Sequence, residues 1–318
     1  MDYFGIVKKA FTYPWKYRFL FWLGVLAVFA SGGGGGGGFN YSGGSGDWQN
    51  LFNDQNDKSS FLNSLKSHTP RVLGESTSKF QEWLSVHWFL IALIILIIIL
   101  IFITLWVFGM FARAGIIRSV PRIEKNETTD FKTALFDGKR FFWRLVGQFF
   151  LVFIFMLLLI AVLGGISVPL FLVNIVLGFV WLVPAILFFI VAAIYIGLVV
   201  QFWMQMFVVE NKRIIETLRP AIKMVNTRFK EVIIFWLVSI VIGLVYFMAV
   251  AIVMFILLLP FILLAVGIGF ANLIAGIIVG AIGFIILSLV MLAISGYYTA
   301  GINSYWTLAY LAINQKSE

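Results

Sequence analysis

The chain has 318 residues, of which 62% are hydrophobic and 12% charged, with a formal net charge of +9 and no cysteine. Soluble domains carry about a quarter charged residues, so this composition, with a mean hydropathy of +1.02, excludes a water-soluble fold and indicates one membrane domain spanning residues 1–318. The absence of cysteine removes disulfides, thiolate nucleophiles and cysteine metal sites together. The two histidines, His68 and His87, lie 19 residues apart without the carboxylate pattern of a zinc site, so no metal or cofactor is expected.

In chain order, residues 1–13 place Phe4, Ile6, Val7 and Phe11 beside Lys8 and Lys9, the pattern of a short interfacial helix. Pro14 is expected to bend the chain into a first, aromatic-rich span over residues 15–30, short for a bilayer crossing. Lys16 and Arg18 before a short apolar stretch also fit a cleaved signal segment, but Phe19, Phe21, Trp22 and Phe29 suit a retained, packed helix better. Seven glycines at 32–38 form a flexible linker, and residues 32–86 as a whole form a Gly-rich and polar insert. Phe61, Leu62 and Leu65 within it are spaced for a short amphipathic helix, and Asn40-Tyr41-Ser42 matches a glycosylation sequon of low specificity. No P-loop Lys and Ser/Thr follow the glycines, which removes a nucleotide site.

Three long apolar runs follow, at 86–117, 145–209 and 232–313. A hydrocarbon core of about 30 Å takes roughly 20 apolar residues per helix, so the second and third runs hold two spans each. Breaks are expected at Gly164-Gly165, Pro169 and Gly178 in the second run, and at Pro260 and Gly267 to Gly269 in the third. Residues 118–144 and 210–231 mix aromatic and aliphatic residues with bases, and both read as in-plane helices feeding the next span, the second kinked or divided at Pro220.

Lys plus Arg number four in residues 1–18, seven in 118–144 and six in 210–230, against four spread over 39–86 together with five acids. The positive-inside rule then gives six spans with both basic segments and both termini in the cytoplasm and the insert outside. The resulting fold class is all-α: a polytopic transmembrane bundle of about six spans, in three hairpins entered through interfacial amphipathic helices.

Ionisable side chains in a bilayer are costly and mark function, yet residues 145–209 and 232–313 contain no Asp, Glu, Lys, Arg or His. Acid–base catalysis and proton coupling lose their groups, and an enzyme is not expected. Asn174, Gln201, Gln205 and Asn272 are the candidates for lining a cavity, Gln201 and Gln205 lying one turn apart on one face. Interhelical hydrogen bonding is the plainer role for each amide. Arg113, Lys139, Arg140, Arg144, Lys212 and Arg213 are the candidate contacts to lipid head groups. Gly276, Gly280 and Gly283 share a face and mark a helix-packing seam. With its bases interleaved among Phe, Trp and Ile beside spans, the chain is matched to anionic membrane lipid as partner and not to nucleic acid.

The stretch Phe207-Val208-Val209-Glu210-Asn211-Lys212-Arg213-Ile214-Ile215-Glu216-Thr217-Leu218, with residues 226–236, 131–145 and the closing Trp306-Thr307-Leu308-Ala309-Tyr310, resembles a broad group of prokaryotic six-span integral membrane proteins. That group is similar to the membrane domain attached to some bacterial glycerophosphodiester phosphodiesterases. The resemblance implies a multi-pass protein of the cytoplasmic membrane. It transfers no catalytic residue, because the soluble phosphodiesterase domain has no counterpart in this chain. The leading expectation is a non-enzymatic membrane or lipid-interacting component, and the alternative is a permease or exporter of a small or lipophilic molecule.

Overall fold

A computed structural model describes the backbone of residues 2–30, 72–271 and 273–315, and the side chains of 2–30, 87–269 and 274–315. The glycine linker, the sequon and the helix expected around Phe61 lie outside the described residues, as does Asn272. Among the described residues all regular structure is helical: α1 (Tyr3–Lys16), α2 (Arg18–Ala30), α3 (Val72–Glu124), α4 (Phe131–Val173), α5 (Ile175–Val209), α6 (Ile214–Thr227), α7 (Phe229–Ala271) and α8 (Leu273–Gln315).

The all-helical membrane bundle is as expected, but its span count differs. Five stretches are long and apolar enough to cross a bilayer: His87–Glu124, Phe131–Val173, Ile175–Val209, Phe229–Gly269 and Ile274–Gln315. The sixth expected span corresponds to α2, whose 13 residues extend only about 20 Å. By contrast α4, α7 and α8 have 43 residues each, about 64 Å and twice the hydrocarbon thickness.

Each of the two later runs divides into two helices, the earlier one between the expected breakers Pro169 and Gly178 but at neither of them. Gly164, Gly165 and Pro169 lie inside α4, and the chain turns only at Asn174, with φ −159° and ψ 123°. Its side chain caps α5 by accepting the Val176 N–H at 2.8 Å, which satisfies one of the free donors of a helix start. Likewise α7 continues through Pro260 and Gly267. In lipid the helix is the one conformation that satisfies an open segment's backbone, so isolated prolines and glycines do not end it.

The basic segments also differ from the in-plane reading. Residues 118–124 close α3, and residues 131–144 are the first part of unbroken α4. The second segment does form a separate helix, α6, which passes through Pro220 and stops at Arg228 (φ −114°, ψ 33°). At the N-terminus the Asp2 side chain caps α1, and the break falls at Tyr17 instead of Pro14.

Chain contacts define two units, residues 1–39 with 105–318, and residues 40–104. Of the second, the described part is the helical stretch 72–104, rich in Leu and Ile, with the rings of Trp88 and Phe89 in edge contact at 6.1 Å.

In the first unit the buried residues gather at one end of the helices, among α1, α2, the last turns of α3, α5 and α8, the first turns of α4 and α7, and α6. Phe202, Phe207, Phe235, Tyr305 and Tyr310 are its largest enclosed rings. Lipid removes the hydrophobic drive between helices, so close approach at small residues holds such a bundle. Gly24 of α2 packs on the Gly296 backbone of α8, and Gly138 of α4 packs on the Phe111 carbonyl of α3. Both helices would be pushed apart by a side chain there. Beyond this end α4–α5 and α7–α8 continue as two arms with apolar side chains exposed nearly all round, among them Phe150, Ile160, Phe188, Val245, Leu263 and Ile278. The expected seam joins the second arm: Gly276 meets Gly269 and Ala265, and Gly283 meets the Phe261 ring.

The two links at the packed end share one device. After α3, the Asn126 N–H bonds the Ile123 carbonyl at 3.0 Å and the Glu127 N–H bonds the Arg122 carbonyl at 2.9 Å, a Schellman closure. Its left-handed position is taken by Asn126 (φ 59°), and Asn211 after α5 has φ 55°. Asparagine tolerates this conformation better than other side-chain-bearing residues.

Candidate functional site

The packed end carries the charged groups that the arms lack. Its inner layer joins α3, α5 and α8. The half-buried Arg113 donates from Nε to Asn303 Oδ1 at 3.3 Å, and Asn303 Nδ2 donates to the Thr299 carbonyl at 2.7 Å. The Thr307 hydroxyl stands 2.8 Å from the Asn303 carbonyl and 2.9 Å from Gln205 Oε1. One hydroxyl proton cannot serve both acceptors. Gln205 Nε2, Thr299 Oγ1 and Trp306 Nε1 are buried without a partner among the described residues. Turning the Gln205 amide, whose O and N are distinguished by their partners alone, lets Nε2 donate to Thr307 and frees the hydroxyl for Asn303.

Around this layer, polar contacts fasten the outer helices. The Trp203 indole donates to the Ile214 carbonyl at 2.8 Å, Tyr305 to the Phe235 carbonyl at 2.8 Å, Tyr297 to the Phe11 carbonyl at 2.6 Å, and Tyr310 to Glu210. Tyr13 donates to Glu124, which also pairs with Lys9 at 3.4 Å. Burial, and then the hydrogen bond to Glu124, push the Tyr13 hydroxyl's pKa up.

The outer layer is basic. Arg118, Pro121, Arg122, Lys125, Glu127 and Val209 line a cleft of about 250 Å³. Arg118 donates to the Val208 carbonyl at 3.2 Å and lies over the Phe141 ring at 5.6 Å. Arg122 forms an ion pair with Asp137 at 2.6 Å. Residue-level reading singled out Arg113 and passed over this stripe, although its i, i+4, i+7 spacing puts all three bases on one face.

The expected head-group residues take different places. Arg144 bonds Asn211 Oδ1 at 3.1 Å and the Lys212 carbonyl at 3.2 Å. Lys212 pairs with Glu210 at 2.7 Å, and that hydrogen bond raises its pKa. Arg213 lies 3.9 Å from Glu216. Lys139 and Arg140 are exposed on α4, while Arg113 points inward to Asn303.

Of the expected cavity residues, Gln205 is fully buried and Gln201 half-buried. Asn174 is exposed as the cap at the far start of α5, about 46 Å from Gln205 along the helix. Among the described residues no group of three His, Cys, Asp or Glu side chains could hold a metal ion.

No curated protein and no solved structure matches the chain, and the likeness to a phosphodiesterase membrane domain has no support in these comparisons. Residues 7–314 match one described as a family of unknown function, DUF7544, and the chain therefore belongs to that family.

Proposed function

We propose that the protein is a non-enzymatic, lipid-interacting component of a prokaryotic cytoplasmic membrane, with its packed basic end at the inner surface and anionic lipid as its partner. The observation that carries this reading is the gathering of α1, both basic links and the last turns of α8 at one end of the first unit, while the arms contain no ionisable Asp, Glu, Lys, Arg or His over 149–197 and 237–297. Bases beside spans favour the cytoplasmic side and an anionic leaflet. In this reading α2 is a short first crossing, giving six in all, and α6 lies along the inner surface with Thr217, Ala221 and Val225 turned to the bundle. A transport path through the amides is less well supported, since Asn174 and Gln205 stand far apart and Gln205 is engaged by Thr307.

The chain has no native cysteine, so single cysteines at Asn126 and Asn226 report the orientation directly. An impermeant maleimide added to intact cells should leave both unmodified, and label both after the membrane is opened. Modification of either from the outside overturns the orientation. Enrichment of anionic over zwitterionic lipid around the purified protein tests the partner.

A further inference from the structure

We infer that the cleft between the ends of α3 and α5 is a binding site for a phosphate group, presented either by an anionic lipid head group or by free phosphate. The inference rests on the orientation proposed above only for which source is met in the cell.

Four observations carry it. First, Arg118, Arg122 and Lys125 repeat on one face and supply three of the six lining residues, against one acid, Glu127. Arg122, Asp137 and Arg140 all lie within electrostatic reach of Arg118, two bases against one acid. Second, the bases exceed what the α3 terminus requires. A helix end attracts cations within its last turn, whereas Arg118 lies six residues before the final helical residue, Glu124. Third, the Arg118 guanidinium is held in place before any ligand arrives. It spends one of its five donors on Val208 and is fixed over Phe141. Pre-organised donors bind with less ordering cost, and the planar forks suit phosphate oxygens. Fourth, the volume of about 250 Å³ is below that of a pocket for a drug-sized molecule, roughly 300–1,000 Å³, and suits a compact anion at the mouth of a bundle.

Asp137 gives the proposal a second sign. Neutralising it removes a competing anion and releases Arg122, so Asp137→Asn should bind phosphate more tightly while Lys125→Gln binds it less tightly.

The test uses the full chain in nanodiscs of phosphatidylcholine, with or without a minority of phosphatidylglycerol. Lipid retention is read by native mass spectrometry and inorganic phosphate binding by calorimetry. A surface cation contributes about a five-fold change in affinity, so K125Q should lower binding by that factor and R118Q/K125Q further. D137N should raise it, and the control K132Q on an exposed turn of α4 should leave it unchanged. If R118Q fails to fold, K125Q and D137N decide the matter alone. Enrichment of phosphatidylglycerol that follows this variant order assigns the lipid source; binding of inorganic phosphate in pure phosphatidylcholine with the same order assigns the free anion. Retention of phosphatidylglycerol unchanged by K125Q and D137N overturns the cleft but leaves the lipid-interacting reading standing. Absence of both phosphatidylglycerol preference and phosphate binding in the native chain overturns both.

Discussion

Asn303 holds the Arg113 guanidinium across a separation of 190 residues, Nε donating to Oδ1 at 3.3 Å. No carboxylate among the described residues forms an ion pair with Arg113. Removing the acceptor leaves a half-buried cation without that partner, which costs about 1–3 kcal/mol or more, whereas replacing the cation with an apolar chain of similar length removes the charge and leaves only the neutral Asn303 Oδ1 without its donor. Asn303→Leu should lower the thermal midpoint in detergent more than Arg113→Met does. The opposite order would show that Arg113 is stabilised by something other than Asn303.

Gln205 and Thr307 form a pair whose members depend on each other. Either substitution alone strands a buried polar atom, at a cost of about 1–3 kcal/mol, while replacing both with apolar groups of like shape comes close to neutral. Thr307→Val and Gln205→Met should each destabilise the protein, and the double variant should be more stable than the sum of the two losses. Additive losses in a denaturant titration would mean that the 2.9 Å contact contributes no coupling.

Glycines at the packed end and in the first arm should respond in opposite ways to the same substitution. A methyl group at Gly138 meets the Phe111 carbonyl, a backbone atom that cannot rotate aside, while at Gly164 it meets nothing within 4 Å among the described residues. Gly138→Ala should cost about 1–3 kcal/mol through overpacking, and Gly164→Ala should be neutral or gain up to about 1 kcal/mol from helix propensity. Thermal midpoints of the two variants in one detergent check the contrast.

Alkaline stability should depend on Tyr13. Its pKa is raised by burial and by the hydrogen bond to Glu124, so the folded state favours the neutral phenol. The stabilisation is fully present below the unfolded pKa of about 10 and is lost as pH rises beyond it toward the folded value. Tyr13→Phe should therefore be less stable than the native chain near neutrality and converge with it at high pH. A difference between the two that stays constant from neutral to strongly alkaline pH would remove the phenol from the account.

Hydrophobic run length revealed the helices, and two helices in each of the two later runs followed from the bilayer thickness. Their turns were harder to read because local breakers lose force in lipid: Pro169, Pro184 and Pro260 all sit within helices, while Asn174, an ordinary capping residue, makes the actual break. The inner polar layer was only half visible. Gln205 stood out as an amide in an apolar run, but its partner Thr307 lies 102 residues away, and nothing local announces such a pairing. The stripe of Arg118, Arg122 and Lys125 was open to inspection. What concealed it was its place at a helix end, where bases are ordinary, and it takes Val209 of α5 to make a cleft of it.

Each arm mixes seated and open glycines. In α7–α8, Gly276 is seated against Gly269 and Ala265 and Gly283 against Phe261, while Gly267 meets no described atom within 4 Å; in α4–α5, Gly178 is seated against the Phe171 ring, while Gly164, Gly165 and Gly197 meet none. The adjacent pair Gly164 and Gly165 leaves one short stretch of α4 bare of side chains, in the residue type with the most backbone freedom. Helices meet a mismatch with bilayer thickness by tilting or kinking, and that pair is where side-chain packing gives α4 the least support against it.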